Sequence, residues 1–435
     1  MNSLSEPHSE TDGPRGLNAL LTSLAERYQL EMSQVFQQAI SYPSISGQEA
    51  DFVHYIAEWA RSKGFEVDCW QGTEAQIAAY PESKARHLPL HGRPTALLRL
   101  PGTGRGRSVI FNAHSDVVTA PEPERWVADP WSGKTRGDTV YGRGACDTKG
   151  PLISALLAMY MLQQLPKRLA GDVLLELVPG EEDSVGLGTL TSVLRGYRAD
   201  AAIILEPTES LPRCASRGGL RFEITVVGRA VHGTVKWLGE DAIQTMEEVL
   251  RILHEMEQAF STQARDELFE SSPLARPITV DQIRGGQWQG MVCDRCECAG
   301  YFELLPDDDR TLWERAFEEA LRLRLAARGL RAEGLIVRFT ESYAGHRTVP
   351  THPLCVTAAR AWQAGATAQA FIWSGFNSGC EAGLRARLHG TPTLVWGPGS
   401  LAHAHGINEQ ISWKQVLRVA QDLALFSYLW SGDIN

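Results

Sequence analysis

Acidic and histidine side chains follow several short apolar segments, and their types suit the binding of divalent cations. His114 and Asp116 stand two positions apart in VIFNAHSDVV, so on an extended segment they point to the same side. A histidine and a carboxylate in this relation are typical of a metal ligand and the acid that orients it. Asp147 lies in GRGACDTKG, a glycine-rich approach to a helix. These two motifs predict part of a metal-binding site.

Two further acidic motifs follow apolar segments that are typical of buried strands. Glu181 and Glu182 come after Val173–Val178 in VPGEEDSVG, and Glu206 follows Ala201–Leu205 in AAIILEPTE. Ligands of open α/β sheets bind at the carboxyl ends of the strands. A carboxylate buried there costs desolvation unless it is paired or bound to a cation. A single such acid is more often a cap or an ion-pair partner, but three in succession beside a histidine motif favour a metal site.

The glycine-rich segment GPGSLAHAHGINE near the C-terminus adds His403 and His405. A lone histidine is more often structural than a ligand. Together with the preceding motifs, however, the chain offers two imidazoles and three or four carboxylates, the donors that zinc and similar cations prefer. The residues alone leave the choice between these two histidines open.

The elements that must position these motifs begin with helices. Apolar spacing predicts helices over 17–40 and 48–63, with Gly64 at a left-handed helix end. Apolar segments at Ala96–Leu100 and Val109–Ala113 flank the turn sequence PGTGRGR, and this pattern predicts a hairpin.

The following stretch alternates strand and helix. The continuous apolar segments Val173–Val178 and Ala201–Leu205 are typical of strands buried on both faces of a sheet. Pro151 is suited to the first turn of a helix, which carries an apolar stripe. This alternation predicts an α/β catalytic domain, with a central mixed sheet flanked by helices.

The character of the chain changes near residue 217. The predicted elements are then a strand, a helix, two strands, a helix and a strand, an order typical of a ferredoxin-like α+β sandwich. Their approximate ranges are 221–228, 241–260, 278–283, 292–305, 309–328 and 335–340. Helix and strand patterns, including Thr393–Trp396, return after residue 340. The expected organisation is a disordered tail over 1–16, a catalytic domain over 17–216 and 341–435, and an inserted domain over 217–340.

Composition excludes several classes of protein. The chain has 435 residues, of which 43% are hydrophobic and 22% charged, and its formal net charge is −10. Such a surface does not suit nucleic acid or an anionic membrane. No apolar segment approaches the roughly 20 residues of a membrane-spanning helix, and the polar N-terminus lacks the pattern of a secretory signal. With eight scattered cysteines, the expectation is a cytoplasmic protein with reduced thiols.

Two other motifs carry weaker functional signals. Cys293, Cys296 and Cys298 cluster, but a structural zinc site would need a second cysteine or histidine pair nearby, so a cysteine-bearing strand is expected. The segment GTGRG lacks the lysine and hydroxyl residue that end a phosphate-binding loop. A nucleotide-binding enzyme is therefore disfavoured.

Taken in order along the chain, the motifs resemble those of the M20-type zinc amidohydrolases and peptidases. This family includes acetylornithine deacetylase, succinyl-diaminopimelate desuccinylase, aminoacylase and carboxypeptidase G2. The resemblance spans nearly the whole chain after the tail: HSD, GRGACDTKG, the EED motif, EPT, GRAVHG, and GPG followed by AHGINE. It implies two divalent ions, zinc in the first place, with cobalt or manganese as alternatives. Asp147 would bridge them, with His114 and Glu206 on one ion and Glu182 and His405 on the other.

The resemblance also implies roles beyond the metal ligands. Asp116 would orient His114, and Glu181 would be the general base that takes a proton from the water shared by the metals. His232 in GRAVHG would stabilise the oxyanion, often from the partner subunit of a homodimer formed by the inserted lid and dimerisation domain. Without the resemblance, His232 is better explained as the cap of a turn. His405 fits the family's spacing better than His403 does.

Four residues bear on the substrate. Arg217 matches a basic position that some relatives use for an anionic substrate. Glu303 stands where many relatives have an arginine that meets a substrate carboxylate, so it favours a cationic or neutral group unless it simply faces solvent. Cys380 and Glu381 replace the Thr-Asp or Ser-Asp pair that relatives have near the substrate pocket.

The function expected first is hydrolysis of an amide in a small N-acylated amine or amino acid, by a deacylase or deformylase. A metallo-exopeptidase acting on dipeptides or a terminal residue is the alternative among enzymes. A non-catalytic binding protein on the same fold is the alternative outside them. The presence of every expected ligand and of Glu181 argues against that last alternative.

Overall fold

The computed structural model describes residues 14–78, 90–183, 186–262, 265–330, 333–365 and 370–432. The chain forms two compact units. The first unit combines the described residues up to Cys214 with Thr348–Trp373 and the chain from Leu384 onward. The second unit comprises Ala215–Arg347 and Ser374–Gly383. An α+β unit is thus inserted into a larger one.

The second unit is larger than the predicted range 217–340, because it also includes residues 215–216, 341–347 and 374–383. Ser374–Gly383 belongs to the second unit, because its Gly375–Phe376 pairs in parallel with Ala215–Ser216. Most of the predicted tail over 1–16 lies outside the described residues. The first helix begins at Pro14, inside the range predicted as a tail.

The α-helices and β-strands are numbered here in chain order. The helices are α1 Pro14–Ile40, α2 Ala50–Ser62, α3 Glu74–Ala78, α4 Gly150–Gln163, α5 Leu187–Leu194, α6 Ala242–Thr262, α7 Arg310–Ala327, α8 Pro353–Gly365, α9 Ala382–His389 and α10 Trp413–Trp430. The strands are β1 Glu66–Gln71, β2 Pro94–Leu100, β3 Val109–His114, β4 Thr135–Arg136, β5 Thr139–Tyr141, β6 Val173–Val178, β7 Ala201–Ile204, β8 Ala215–Ser216, β9 Gly218–Val227, β10 Ile278–Gly285, β11 Arg295–Leu304, β12 Leu335–Tyr343, β13 His346–Arg347, β14 Gly375–Phe376, β15 Thr393–Val395 and β16 Gln410–Ser412.

A six-stranded mixed sheet forms the centre of the first unit, in the order β1-β2-β6-β3-β7-β15. Strands β3, β6, β7 and β15 run parallel to one another, and β1 and β2 are antiparallel to their neighbours. Every residue of β3, β6 and β7 is buried, as their continuous apolar sequences predict. The predicted α/β class is confirmed.

The hairpin predicted around PGTGRGR is wrong. Strand β6 lies between β2 and β3 and pairs with both of them, so the two predicted hairpin strands are not neighbours. Hairpin register is fixed by short turns of two to five residues. The longer connection between β2 and β3 does not impose direct pairing, and the largely apolar β6 lies between them.

Helix α4 is buried all round instead of along a single stripe. Pro151 lies in its first turn, and nearly every residue from Gly150 to Leu162 is buried. The helix packs against α1, α10 and strands of the central sheet. Because α4 starts next to the Asp147 segment, this packing fixes the approach to the candidate site.

The second unit has the predicted order β9-α6-β10-β11-α7-β12. Its antiparallel sheet runs β10-β11-β9-β12, and alternate residues of β9 and β11 face a core formed with α6 and α7. Cys296 and Cys298 belong to that core on β11, so they lie on a strand as expected. Among the described residues, no helix combines the length and the apolar character needed to cross a membrane.

Candidate metal centre

The predicted ligands of the first unit stand at one edge of its central sheet. His114 is the last residue of β3, Glu182 follows β6, and Glu206 follows β7. These strands are parallel, so their carboxyl ends meet at the same edge. Asp147 precedes α4, and His405 lies in the segment between β15 and β16.

Asp147 lies between the two histidines. Nε2 of His114 is 2.9 Å from Oδ1 of Asp147, and Nε2 of His405 is 3.4 Å from Oδ2. His405 also approaches Glu182, with Nε2 at 3.2 Å from Oε1 and 3.1 Å from Oε2. One ligand atom from each of His114, Asp147 and Glu182 lies within 4.8 Å of the others. A divalent cation suits this group, because nitrogen and carboxylate donors converge from separate segments.

The charges at this edge are strongly coupled. Burial opposes protonation of His114, but the hydrogen bond and charge of Asp147 raise the pKa of His114 well above its usual value. The charges of Glu206 and Glu181 raise this pKa further. Burial alone would raise the pKa of Asp147, yet the hydrogen bonds and charges of the two histidines lower it. Carboxylates outnumber histidines at this edge, and an excess of acidic side chains favours a bound cation.

His405 and Glu182 also shift each other's pKa values. Hydrogen bonds with Asp147 and Glu182 raise the pKa of His405 far above its ordinary value, against burial. Burial raises the pKa of Glu182, and the hydrogen bond with His405 opposes that rise. Glu206 is nearly buried at the end of its strand. Its charge contributes to the high pKa of His114.

Asp116 contacts His114 through its backbone carbonyl, whereas the family resemblance implies a contact through its carboxylate. Nδ1 of His114 lies 2.9 Å from the backbone carbonyl of Asp116 and 3.9 Å from its carboxylate oxygen Oδ1. Because a carbonyl only accepts, Nδ1–H donates to it, and Nε2–H donates to the carboxylate of Asp147. Loss of the Nε2 proton would present a lone pair to a cation. Asp116 thus orients His114 through its main chain.

The carboxylate of Asp116 instead holds the segment that carries the EED motif. Its Oδ1 accepts the backbone N–H groups of Gly180 and Glu181 at 2.9 and 3.1 Å. Its Oδ2 accepts the N–H of Glu182 at 3.1 Å and the hydroxyl of Ser46 at 2.9 Å. Sequence reasoning missed this role, since nothing near Asp116 in the chain indicates contact with residues 180–182.

His403 and His405 have different neighbours, and this difference distinguishes them as possible ligands. His405 contacts Asp147 and Glu182, as described above. His403 lines a cavity of about 500 Å³ together with Glu209, Gln415 and other polar residues. The geometry therefore favours His405 over His403 as a ligand.

His232 belongs to the second unit and caps a short turn. Its Nδ1 accepts the backbone N–H of Thr234 at 3.3 Å and lies 2.8 Å from the Thr234 hydroxyl oxygen. With Nδ1 as acceptor of the amide hydrogen, a neutral ring carries its proton on Nε2. The capping role that the residues alone suggested is present, and a donor role toward substrate remains a prediction.

The predicted substrate-binding residues of the second unit are mostly buried. The guanidinium of Arg217 donates to the carbonyls of Ala275 and Leu274 and to the hydroxyl of Ser272, and it stacks 4.8 Å from the ring centroid of Phe269. These contacts tie Arg217 to the 272–275 segment. Its contact with substrate remains a prediction.

Glu303 is held by one phenol. The hydroxyl of Tyr343 donates to its Oε1 at 2.7 Å, and Oε2 is buried without a hydrogen-bond partner among the described residues. Burial raises the pKa of Glu303 to about 7, against the hydrogen bond of Tyr343 and the charge of Arg217. Cys380 and Glu381 are both buried in the same unit. Their contacts with substrate also remain predictions.

The fold and the site together define a class of hydrolase. The family model of peptidase family M20/M25/M40 matches residues 110–427, and the chain belongs to this family. The matched region contains every residue of the cluster around Asp147.

Relatives and solved structures of full length agree with this assignment. The N-formyl-4-amino-5-aminomethyl-2-methylpyrimidine deformylase of Bacillus subtilis (strain 168) is 25% identical over 450 residues, which cover 94% of this chain and 97% of that one. The di-peptidase Dug1p of Saccharomyces cerevisiae has the same fold, with a TM-score of 0.78 at 15% identity over 97% of this chain and 100% of that one. The YXEP protein of Bacillus subtilis, described as a dinuclear metal binding peptidase from the M20 family, gives a TM-score of 0.61 at 15% identity over 95% and 99%.

Proposed function

We propose that this chain is a dinuclear, zinc-dependent amidohydrolase that removes a formyl or other small acyl group from a small amine. The observation that carries the proposal is the position of Asp147, whose two oxygens face the Nε2 atoms of His114 and His405. A carboxylate that offers one oxygen to each of two imidazoles is suited to bridge two cations.

We propose that the acids and histidines at this edge of the sheet hold two ions. Asp147 would be shared, with His114 and Glu206 completing one ion's ligands and Glu182 and His405 the other's. The hydrogen bond from Nδ1 of His114 to the Asp116 carbonyl supports this assignment, because it presents Nε2 to the cation. Zinc suits the mixture of imidazole and carboxylate donors, and cobalt or manganese would suit it as well.

The bound ions would supply Lewis acidity toward the scissile carbonyl and toward the attacking water. Glu181 would accept the proton of that water and deliver it to the leaving amine. Two observations support this role: the backbone N–H of Glu181 is fixed by the carboxylate of Asp116, and the charge of Glu181 raises the pKa of His114. Nε2–H of His232 would donate to the oxyanion.

The electrostatics of Glu303 support a substrate without a carboxylate at that position. The Oε2 atom of Glu303 has no hydrogen-bond partner among the described residues, so it could accept a hydrogen bond from a substrate amino group. In its ionised form the same carboxylate would repel an anion. The guanidinium of Arg217 is meanwhile engaged by the 272–275 segment. The likeness to an aminopyrimidine deformylase agrees with a neutral or cationic amine as the leaving group.

A comparison of substrates tests the proposal. Purified chain loaded with zinc, cobalt or manganese should hydrolyse N-formyl or N-acetyl derivatives of small amines, including aminomethyl heteroaromatic ones. It should cleave dipeptides more slowly by at least tenfold in kcat/KM. Faster cleavage of dipeptides would make the chain an exopeptidase, and no hydrolysis of either class with any metal would support a non-catalytic protein.

A homodimer formed through the second unit is part of the same proposal. Three large apolar side chains of that unit are mostly exposed, and a partner subunit would cover them: Trp237 at 74%, Leu238 at 55% and Trp288 at 75%. Light scattering of the wild-type protein should give a molar mass of twice the chain mass. The Trp237→Ser variant should give a mass closer to that of a single chain. A cytoplasmic location is proposed from the eight cysteines, all of which are free thiols.

A further inference from the structure

Glu409 has a buried carboxylate that is fully occupied by donors from the Asp147 segment. Its Oε1 accepts the backbone N–H groups of Cys146 and Asp147 at 2.8 and 3.0 Å. Its Oε2 accepts the N–H of Gly144 at 3.0 Å and Nη1 of Arg143 at 2.6 Å. With 1% exposure, this carboxylate serves the chain around Asp147 and not the solvent.

Arg143 connects the same carboxylate to His405. Its Nη2 donates to the backbone carbonyl of His405 at 3.2 Å, and its Nε donates to the carbonyl of Thr119 at 3.2 Å. The guanidinium lies 5.2 Å from the ring centroid of Trp126 and is 1% exposed. A planar group with several fixed donors can join three acceptors in this way, which an ammonium cannot do with the same geometry.

The segment that carries His405 needs such support. His405 and Asn408 adopt positive φ angles of 59° and 64°, which non-glycine residues rarely do. Each costs on the order of 1 kcal/mol and persists when neighbouring contacts over-determine the backbone. The Asn408 side chain accepts the N–H of Val127 at 2.6 Å, and the Glu409 carbonyl accepts that of Gly142 at 3.0 Å.

We infer that Glu409 and Arg143 are positioning residues that fix Asp147 and His405 relative to each other, so that both can hold the same ion. This inference rests on the proposed metal centre. Neither residue needs to touch an ion, because each acts through the backbone of a ligand. Asp116 has the corresponding function for the Glu181–Glu182 segment.

Metal titration of two variants tests the inference. Glu409→Gln keeps the size of the side chain but replaces one acceptor oxygen with an NH₂ group, which cannot accept from Gly144 or Arg143. We expect both ions to bind 10- to 100-fold more weakly, the usual effect of losing a residue that orients a ligand. Arg143→Lys should lower the affinity for the ion held by Glu182 and His405 more than the affinity for the ion held by His114 and Glu206. The reason is that the hydrogen bond from Arg143 to the His405 carbonyl is lost.

A second readout is independent of metal. In the metal-free protein, hydrogen exchange of the peptide that covers residues 143–149 should accelerate at least tenfold in Glu409→Gln. The backbone N–H of Gly144 loses its acceptor, and the remaining oxygen, which accepts from Cys146 and Asp147, is no longer anchored by Arg143. The matched control is Asp422→Asn, which removes another buried carboxylate paired with an arginine, Arg418 of α10. This control should lower the melting temperature while leaving metal affinity per folded chain unchanged.

The outcomes are distinct. Folded Glu409→Gln that binds both ions with wild-type affinity would overturn the inference. So would an equal loss of affinity in Asp422→Asn, because the effect would then reflect general destabilisation. A wild-type chain that binds no ions would refute the proposed function, and the inference with it. A wild-type chain that binds two ions but hydrolyses no amide would leave this test of positioning intact.

Discussion

Nε2 of His114 lies 2.9 Å from Oδ1 of Asp147, and this contact joins the end of β3 to the segment that precedes α4. The other oxygen of Asp147 faces His405 at 3.4 Å. Three segments that are distant in the sequence therefore meet at a single carboxylate.

Glu181→Ala should abolish turnover while leaving the bound ions in place. The variant removes the proposed proton acceptor but none of the proposed ligands, and loss of a general base typically costs 10²- to 10⁴-fold in kcat. Steady-state kinetics and metal content on the same sample provide the measurement. Wild-type kcat in the variant would remove Glu181 from the mechanism.

His405→Ala and His403→Ala should behave differently. The first variant loses a group that contacts both Asp147 and Glu182, so we expect it to retain one ion per chain and less than 1% of the activity. The second variant alters a residue in a polar cavity and should keep both ions and most of the activity. If the two variants exchanged these results, His403 would be the ligand.

Asp116→Asn should weaken metal binding even though Asp116 is not a proposed ligand. The asparagine keeps one acceptor oxygen, but its NH₂ group cannot accept, so the variant loses either the bonds from Gly180 and Glu181 or the bond from Glu182. We expect a 10- to 100-fold loss of affinity, measured by competition with a chromophoric chelator. The bond from His114 to the Asp116 carbonyl is retained in the variant. Unchanged affinity would therefore mean that the carboxylate contacts are dispensable.

Glu303→Gln should change how stability depends on pH. Burial raises the pKa of Glu303 to about 7 from an ordinary value of 4.5, so between these values the folded chain binds a proton that the unfolded chain releases. The contribution of Glu303 to stability consequently falls as pH rises from 4.5 to 7. Relative to wild type, the variant should gain on the order of 2 kcal/mol in unfolding free energy across this range.

Urea unfolding at several pH values measures this difference. Glu297→Gln, on the same strand but with an exposed side chain, controls for the loss of one acidic residue. A constant difference between Glu303→Gln and wild type from pH 4 to 8 would show that Glu303 is not desolvated in solution.

Much of the fold could be predicted because apolar sequences specify buried strands. The segments Val173–Val178 and Ala201–Leu205 both correspond to strands of the central sheet, and parallel strands bring their terminal residues to one edge. That is why Glu182 and Glu206 were predicted at the same edge as His114. The neighbours of β2 and β3 could not be predicted, because pairing depends on which distant strand fits between them.

The supporting contacts were also out of reach of the sequence. The roles of Asp116 and Glu409 depend on backbone N–H groups, which every residue except proline carries and which leave no mark in the sequence. Arg143 has no local pattern that indicates the carbonyl of His405 as its partner. The ligands could be recognised by their residue types, but the groups that hold them depend on the folded path of the chain.

The most direct test of the account is anomalous diffraction from crystals of the zinc-loaded chain, measured above and below the zinc absorption edge. We expect two peaks per chain, both within bonding distance of Asp147, one beside His114 and Glu206 and the other beside Glu182 and His405. Peaks elsewhere, or none at this edge of the sheet, would contradict the proposed metal centre.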